Sequence, residues 1–217
     1  MHLIKASAEI RRATEDMELI IEEAIRVCYK SEDRICEGSA EKIIRDIMDK
    51  HHESTIEHAA ITVKFINDRG ISHEEVRHRI SSFSQESTRY CNYSKDKFDN
   101  ELNIIDIRGG YPEQPKERFD VWMEAMLDAE RHYLKMIELG ATPGEARSVL
   151  PNSLKTELFW TANPREWRHI FKLRTSNAAH PQIVEVMLPL LKEFKNRWPV
   201  LFGDIEPGSK WVNYFKE

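Results

Sequence analysis

The sequence predicts an α+β fold in which a small antiparallel sheet packs with several long helices in a single domain. Apolar residues recur at helical spacing over long segments, whereas strict alternation of apolar and polar residues is confined to short ones. The alternating segments are separated irregularly, which favours a small antiparallel sheet over a doubly wound one. With 217 residues the chain can form one hydrophobic core, so we expect a single domain over residues 1–217.

Two amphipathic helices are predicted in the first fifty residues. Residues 14–29 carry apolar side chains on one face and carboxylates opposite, and residues 40–49 repeat this pattern after Ser39. The apolar positions of these two helices are Met17, Ile20, Ile21, Ala24, Ile25, Cys28, Ile43, Ile44, Ile47 and Met48.

A strand and then a helix are predicted in the next segment. Residues 59–66 alternate as a half-buried strand does, and residues 67–70 have the composition of a turn. Ser72 followed by Glu75 is typical of a capping box, so a helix is expected to begin there and to include residues 77–79. On such a helix Arg77 and Arg79 point about 200° apart.

The second half of the chain gives the remaining elements. Strands are predicted at residues 102–107 and 154–160, and a long helix is predicted to end at Gly140. Thr142, Pro143 and Glu145 begin a short helix that presents Arg147. Two further helices are predicted, one beginning after Asn163 and carrying Arg165, His169 and Arg174, the other beginning near Pro181.

Composition limits the functional classes. A net charge of -5 argues against a protein that coats nucleic acid, because nonspecific affinity for a polyanion depends on many basic residues. Basic residues are instead concentrated at residues 69–89 and 165–174, which indicates one discrete anionic ligand. Three cysteines form no close pair, and no apolar signal core or membrane span is present, so we expect a cytoplasmic protein with no membrane partner.

The segment at residues 77–90, RHRISSFSQESTRY, is the strongest candidate for an anion-binding site. Arginine offers a rigid fork of donors to phosphate or carboxylate, and the Ser and Thr hydroxyls add short neutral hydrogen bonds. Residues 84–90 lack an apolar period and are predicted to form a loop that holds phosphate. We expect Ser87 to bind and not to act as a nucleophile, because no adjacent motif supplies a base.

Two other classes of function remain open on the residues alone. The basic patch at residues 77–89 could belong to an RNA-binding module, although the acidic net charge disfavours it. His52 and His58, within HHESTIEHA, could belong to a metal-dependent phosphohydrolase. Their spacing of six differs from the four of a helical zinc site, so no metal is expected.

The spacing of Arg77, His78, Arg79 and Ser87, an RHR triplet followed by seven residues and a serine, resembles the signature of the flavin-dependent thymidylate synthases. Three other segments are similar to the same family: HxSxxEH at residues 52–58, ARSVLPNSLKTELFWTANPREW at residues 146–167, and FKLR at residues 171–174. Together the similar regions cover roughly residues 50–92 and 145–195, in the order of the family.

The resemblance implies a reaction and a set of site residues. Members convert dUMP to dTMP with FAD, with methylenetetrahydrofolate as carbon donor and NADPH as reductant, and they are homotetramers whose active sites are shared between subunits. By this resemblance, FAD contacts Ser54, Arg77, His78, Arg79, Gln85, Asn163, Arg165 and His169. The residues around dUMP are Glu74, Arg77, Gln85, Glu86, Ser87, Thr88, Arg89, Arg147 and Arg174. Arg174 is expected to be the catalytic group, because a fixed guanidinium stabilises the negative charge that develops on the uracil ring.

Three positions depart from the common pattern of the family. Glu74 stands where many members have glutamine, SFSQE at residues 82–86 replaces a common SYNE form, and His169 replaces a frequent asparagine. The contacts expected of Glu74, Gln85 and Glu86 with the nucleotide therefore differ from those common in the family. The contact expected of His169 with the flavin differs in the same way.

Overall fold

The computed structural model describes residues 1–95 and 98–215, and it confirms an α+β fold with a small antiparallel sheet. The strands are β1 His2–Ile4, β2 Ser7–Ala13, β3 Ile61–Asp68, β4 Ser82–Gln85, β5 Asn103–Ile105 and β6 Lys155–Ala162. The helices are α1 Met17–Tyr29, α2 Ser39–Asp49, α3 Arg69–Glu75, α4 Lys116–Glu138, α5 Pro143–Ala146, α6 Pro164–Arg174, α7 Pro181–Arg197 and α8 Pro199–Phe202. Short 3₁₀ helices include Glu53–His58 and Arg147–Val149.

The strands form two separate sheets. Four of them lie in the order β2-β3-β6-β4. β1 pairs with β5 in parallel, with Leu3 opposite Ile104, so the segment predicted as a strand at residues 102–107 is shorter than expected and its partner was not predicted. Within the described residues, no helix combines the length and the apolar character needed to cross a membrane.

The described residues divide into two compact units. The first comprises Met1–Ser7, Phe65–Arg77 and Ser84–Leu158, and the second comprises Ala8–Lys64, His78–Phe83 and Phe159–Glu217. The expectation of one domain over residues 1–217 stays a prediction, and residues 96, 97, 216 and 217 lie outside the described part of the chain.

The first unit has its core beneath α4. Met126 and Tyr133 of this helix are buried against residues of the loops and strands, and the Tyr133 hydroxyl accepts a hydrogen bond of 3.3 Å from the backbone N–H of Tyr93. The other buried members are Leu102, Ile104, Ala146 and Leu154.

The second unit has an aromatic core that fixes α6. Trp167 and Phe171 of α6 are fully buried, with ring centroids 5.7 Å apart, and Phe194 of α7 packs 4.9 Å from Phe171. Trp167 Nε1 also donates to the carbonyl oxygen of Ile61 at 3.0 Å. Since Trp167 and Phe171 anchor α6 in this core, the polar residues on its other faces have defined positions.

The start of α3 differs from the prediction. Asp68, and not Ser72, caps the helix, because Asp68 Oδ1 accepts from the backbone N–H of Ile71 at 2.7 Å. Glu75 is buried and accepts a hydrogen bond of 2.7 Å from Asn67, so it does not complete a capping box. The helix ends at Glu75, and the prediction that residues 77–79 lie on it is therefore wrong.

Other boundaries shift by smaller amounts. α1 begins at Met17 and not near residue 14, because Asp16 has a left-handed backbone conformation (φ 47°). Ser39 is the first residue of α2 and Gly38, in a left-handed backbone conformation, is its cap. Ser39 Oγ donates to the Glu22 carboxylate at 2.7 Å. The predicted loop at residues 84–90 begins inside β4, which was not predicted.

The predicted signals at α4, α5 and α6 are confirmed. The chain leaves α4 through Gly140 with φ +92°, a conformation that favours glycine. Thr142 and Glu145 form a complete capping box at α5, and Asn163 Oδ1 caps α6 by accepting from the backbone N–H of Glu166 at 2.8 Å.

Candidate functional site

A buried histidine in the second unit connects two residues of α6. His78 is only 5% exposed, and its Nδ1 lies 3.1 Å from Glu166 Oε1. Arg174 Nε donates a hydrogen bond of 3.1 Å to His78 Nε2. The imidazole also packs 5.3 Å from the Trp160 ring and 5.6 Å from the His169 ring. His78 and Arg174, both predicted as site residues, are thus in direct contact.

The electrostatics of this group favour a neutral imidazole. Burial, and then the positive charge of Arg174 and the proximity of His169, lower the pKa of His78 to about 4. Burial raises the pKa of the Glu166 carboxyl above its usual range, and His169 partly opposes that shift. The arrangement therefore uses the histidine as a fixed hydrogen-bonding group near neutral pH.

An open cavity of about 560 Å³ lies beside this group in the second unit. Predicted FAD residues Asn163, Arg165 and His169 line it, together with Lys172 and the 71%-exposed Ile80. The lining also includes Arg168 and the carboxylates of Glu53, Glu57 and Glu166. The cavity thus combines three cations, three carboxylates and an apolar surface, within the usual volume range of ligand pockets.

Acidic groups hold Arg165 at the mouth of this cavity. Its Nη1 donates to Glu57 Oε1 at 2.6 Å, and its Nε lies 3.8 Å from Glu53 Oε2. Both carboxylates belong to the 3₁₀ helix Glu53–His58, on which Ser54 is exposed. The segment that resembles the family pattern thus contacts Arg165 through Glu53 and Glu57.

His78, Glu166 and His169 each offer a possible metal ligand, with atoms within 4.8 Å of one another. Such a set could hold a divalent cation. Both nitrogens of His78 are already engaged, however, one with Glu166 and one with Arg174. While these hydrogen bonds are present, His78 has no lone pair for a metal.

In the first unit, Gln85 and Glu86 are held by neighbours that were not predicted. Gln85 Nε2 donates to the hydroxyls of Ser72 at 2.8 Å and Thr156 at 3.1 Å. Glu86 accepts from the Tyr93 hydroxyl at 2.9 Å and from Lys155 Nζ at 2.9 Å.

Lys155 lies between two carboxylates. Burial alone would lower its pKa, but hydrogen bonds to Glu157 and Glu86 raise the pKa of Lys155 overall. The charge of Glu86 is therefore balanced by protonated Lys155. One carboxylate oxygen of Glu86 accepts from Lys155 and the other from Tyr93.

The remaining predicted residues of the first unit lie on exposed or turn segments. Ser87 Oγ accepts from the backbone N–H of Arg89 at 3.3 Å, and Thr88 is buried. The exposed Arg89 guanidinium lies 5.4 Å from the centre of the Tyr90 ring. Arg77 and Arg147 are exposed, and Glu74 is half-buried at the end of α3.

The predicted residues divide between the two units. Ser54, His78, Arg79, Asn163, Arg165, His169 and Arg174 belong to the second unit. Glu74, Arg77, Gln85, Glu86, Ser87, Thr88, Arg89 and Arg147 belong to the first. Sequence reasoning missed Glu166, Lys155 and Lys172, although Lys172 falls within the basic cluster at residues 165–174.

Comparisons with known proteins agree on one family. The family model described as "Thymidylate synthase complementing protein" matches residues 9–200. A flavin-dependent thymidylate synthase of Geobacter sulfurreducens is 32% identical over 202 residues, 90% of this chain and 84% of that protein. One of Pyrococcus furiosus is 33% identical over 184 residues, 84% of this chain and 72% of that protein.

A solved structure shares the fold. The UMP/dUMP methylase PolB of Streptomyces cacaoi, bound with 5-Br dUMP, superimposes with a TM-score of 0.77 at 24% identity, covering 94% of this chain and 96% of that one. With a family model that spans most of the chain and relatives above 30% identity, the chain belongs to the flavin-dependent thymidylate synthase family.

Proposed function

We propose that this protein is a flavin-dependent thymidylate synthase, an enzyme that methylates dUMP reductively to dTMP. The observation that carries the proposal is the family match over residues 9–200, which includes the RHR triplet and Ser87. The hydrogen bond between Arg174 and His78 supports it, because two motif residues far apart in sequence lie in contact.

The cofactor is a flavin, and we propose FAD. The cavity of the second unit supports this proposal, since Asn163, His169 and Lys172 present donors and positive charge next to the apolar Ile80, while Glu53 and Glu57 of the same lining contact Arg165. Arg165 and Lys172 suit a pyrophosphate, whereas Asn163 and His169 suit the polar edge of a ring. When bound, the flavin supplies the hydride chemistry that side chains lack.

Other residues are assigned to FAD by resemblance alone. They are Ser54, Arg77, His78, Arg79 and Gln85. For Arg165, binding of a phosphate requires exchange of its contact with Glu57.

For dUMP we propose two kinds of contact. Ser87, Thr88 and Arg89 bind the phosphate, as a turn with a hydroxyl and an exposed guanidinium suits a dianion. Arg174 stabilises negative charge on the pyrimidine as the ring becomes nucleophilic. Glu74, Arg77, Gln85, Glu86 and Arg147 complete the proposed set by resemblance, and Glu86 acts through the network with Lys155 and Tyr93.

The remaining parts of the proposal rest on the family resemblance. They are methylenetetrahydrofolate as carbon donor, NADPH as reductant, one functional domain over residues 1–217, a homotetramer, and a cytoplasmic location. Light scattering that gave the mass of a single chain would contradict the tetramer.

The absorption spectrum of the purified protein tests the cofactor. We expect the bands of bound oxidised flavin, either as purified or after addition of FAD, and dTMP formation when dUMP, methylenetetrahydrofolate and NADPH are supplied. A colourless protein that takes up no FAD and forms no dTMP would refute the proposal.

A further inference from the structure

His78 joins the two ends of α6. Glu166 lies in the first turn of this helix and Arg174 is its last residue. They are eight positions apart in the sequence, about 12 Å along the helix axis at 1.5 Å per residue. The buried ring of His78 lies between the two side chains and bonds to both. The order Glu166, His78, Arg174 therefore forms one continuous hydrogen-bonded chain.

The direction of each hydrogen bond in this chain follows from the chemistry of arginine. A guanidinium can only donate, so His78 Nε2 must accept from Arg174 Nε through its lone pair. In a neutral imidazole the proton is then on Nδ1, which donates to Glu166 Oε1. The low pKa of His78 agrees with this neutral form.

We propose that Glu166 and His78 are positioning residues that fix the direction of the Arg174 guanidinium. Glu166 holds His78 in the tautomer whose Nε2 faces Arg174, and this nitrogen holds Arg174 Nε. Because the guanidinium is planar, fixing its Nε–H also fixes the plane in which its other donors lie. The inference rests on the proposed function in that Arg174 contacts the pyrimidine of dUMP.

The local surroundings support a specific role for Glu166 over simple packing. Its backbone N–H already serves the cap of α6 by donating to Asn163, so the helix does not require its carboxylate. Glu166 as a whole is 9% exposed, and its carboxylate is directed at His78, which comes from a segment 88 residues earlier. The raised pKa of Glu166 shows that burial of its charged form costs free energy. A role in positioning a functional arginine would explain why an acid is kept at this place.

The test compares Glu166→Ala with Glu166→Gln in the flavin-free protein and in the holoenzyme. The first readout is the tautomer of His78 from ring ¹⁵N resonances, assigned among the nine histidines by their loss in His78→Gln. We expect the wild type to carry its proton on Nδ1. In Glu166→Ala the population protonated on Nε2 should rise, whereas Glu166→Gln, which keeps an oxygen acceptor of equal reach, should stay close to the wild type.

The second readout is dUMP affinity by calorimetry. Glu166→Ala should weaken dUMP binding about tenfold, which lies within the range of interaction energies between residues of one hydrogen-bond network. In an Arg174→Ala background, the same substitution should weaken dUMP binding no further. Asp204→Asn is the matched control. It alters a carboxylate that pairs with Arg168 of the same helix, and it should change neither readout.

The outcomes separate this inference from the proposed function. An unchanged tautomer in Glu166→Ala would overturn the inference, as would a further loss of affinity in the Arg174→Ala background or an equal effect of Glu166→Gln. If the wild type bound no dUMP and formed no dTMP, the proposed function would fail, and the tautomer measurement alone would still decide whether Glu166 positions His78.

Discussion

Arg174 is hydrogen-bonded to His78, a buried residue that Glu166 contacts in turn. Its Nε–H bonds to His78, and the opposite nitrogen of that ring faces Glu166. A guanidinium fixed in this way needs little reorganisation when charge develops on a bound pyrimidine, which is the condition for strong electrostatic stabilisation of a transition state.

Replacement of Arg174 tests its role as the catalytic group. Arg174→Ala should lower kcat for dTMP formation by about a hundredfold or more, because a preorganised donor to developing charge is lost. The variant should keep bound flavin, measured by its absorption. Arg197→Ala, which removes an exposed arginine paired with Glu193, is the control and should keep normal turnover. Near-normal turnover in Arg174→Ala would contradict the assignment.

The low pKa of His78 makes stability depend on pH. The unfolded chain binds a proton at His78 near pH 6.5, whereas the folded chain binds it only near pH 4. The contribution of His78 to stability is therefore fully present above pH 6.5, and about 3 kcal/mol is lost as the pH falls from 6.5 to 4.

Urea unfolding between pH 7.5 and 4 measures this effect. The free energy of unfolding should fall more steeply with decreasing pH in the wild type than in His78→Gln, which has no titrating group at this position. Equal slopes in the two proteins would show that His78 titrates alike in the folded and unfolded states.

The sequence identifies some residues of the site and cannot identify others. Arg174 and His78 belong to motifs, so each could be found alone. Glu166 falls three residues after Asn163 and reads locally as part of a helix start, which its backbone confirms. The partner of its carboxylate lies 88 residues away, and local spacing carries no signal of such a contact.

At the scale of elements, the start of α3 shows how two local signals compete. Both Asp68 and Ser72 are good capping residues, and Ser72 has a glutamate three positions later. Asp68 caps the helix because β3 extends to that residue, while Glu75 turns inward to Asn67. The helix consequently ends before Arg77, and the RHR triplet follows it as irregular chain.

Removal of this cap should destabilise the protein. Asp68→Ala deletes the acceptor for the Ile71 N–H, and the free energy of unfolding should fall by about 1 kcal/mol or more. Asp68→Asn keeps an amide oxygen at the same place and should cost less. Urea unfolding measures the free energy of unfolding of both variants, provided that the m-value does not change. Equal losses of this free energy in Asp68→Ala and Asp68→Asn would contradict the capping role.

Elements with strong local signals were predictable, and elements defined by their partners were not. α4, α5 and α6 have clear periodicity or caps, and the structure contains them near the expected positions. β1, β2 and β4 are short or carry many polar residues, and a strand of that kind forms only because a neighbour supplies its hydrogen bonds. The strand at residues 154–160 was found because it alternates, and β6 covers Lys155–Ala162.

At the scale of the whole molecule, each compact unit is built from separate stretches of chain. Arg77 is the last residue of one stretch of the first unit, and His78 begins a stretch of the second. A single short motif thus supplies residues to both units. Composition and periodicity describe continuous segments, so they could support the fold class but not this division.

The contact between His78 and Trp160 gives the molecule an intrinsic optical probe. The two rings are 5.3 Å apart, and Trp160 in turn packs 5.1 Å from Trp167. Because a protonated imidazole quenches the emission of an adjacent indole, we expect protonation of His78 to lower the contribution of Trp160 to the fluorescence of the protein, which has five tryptophans.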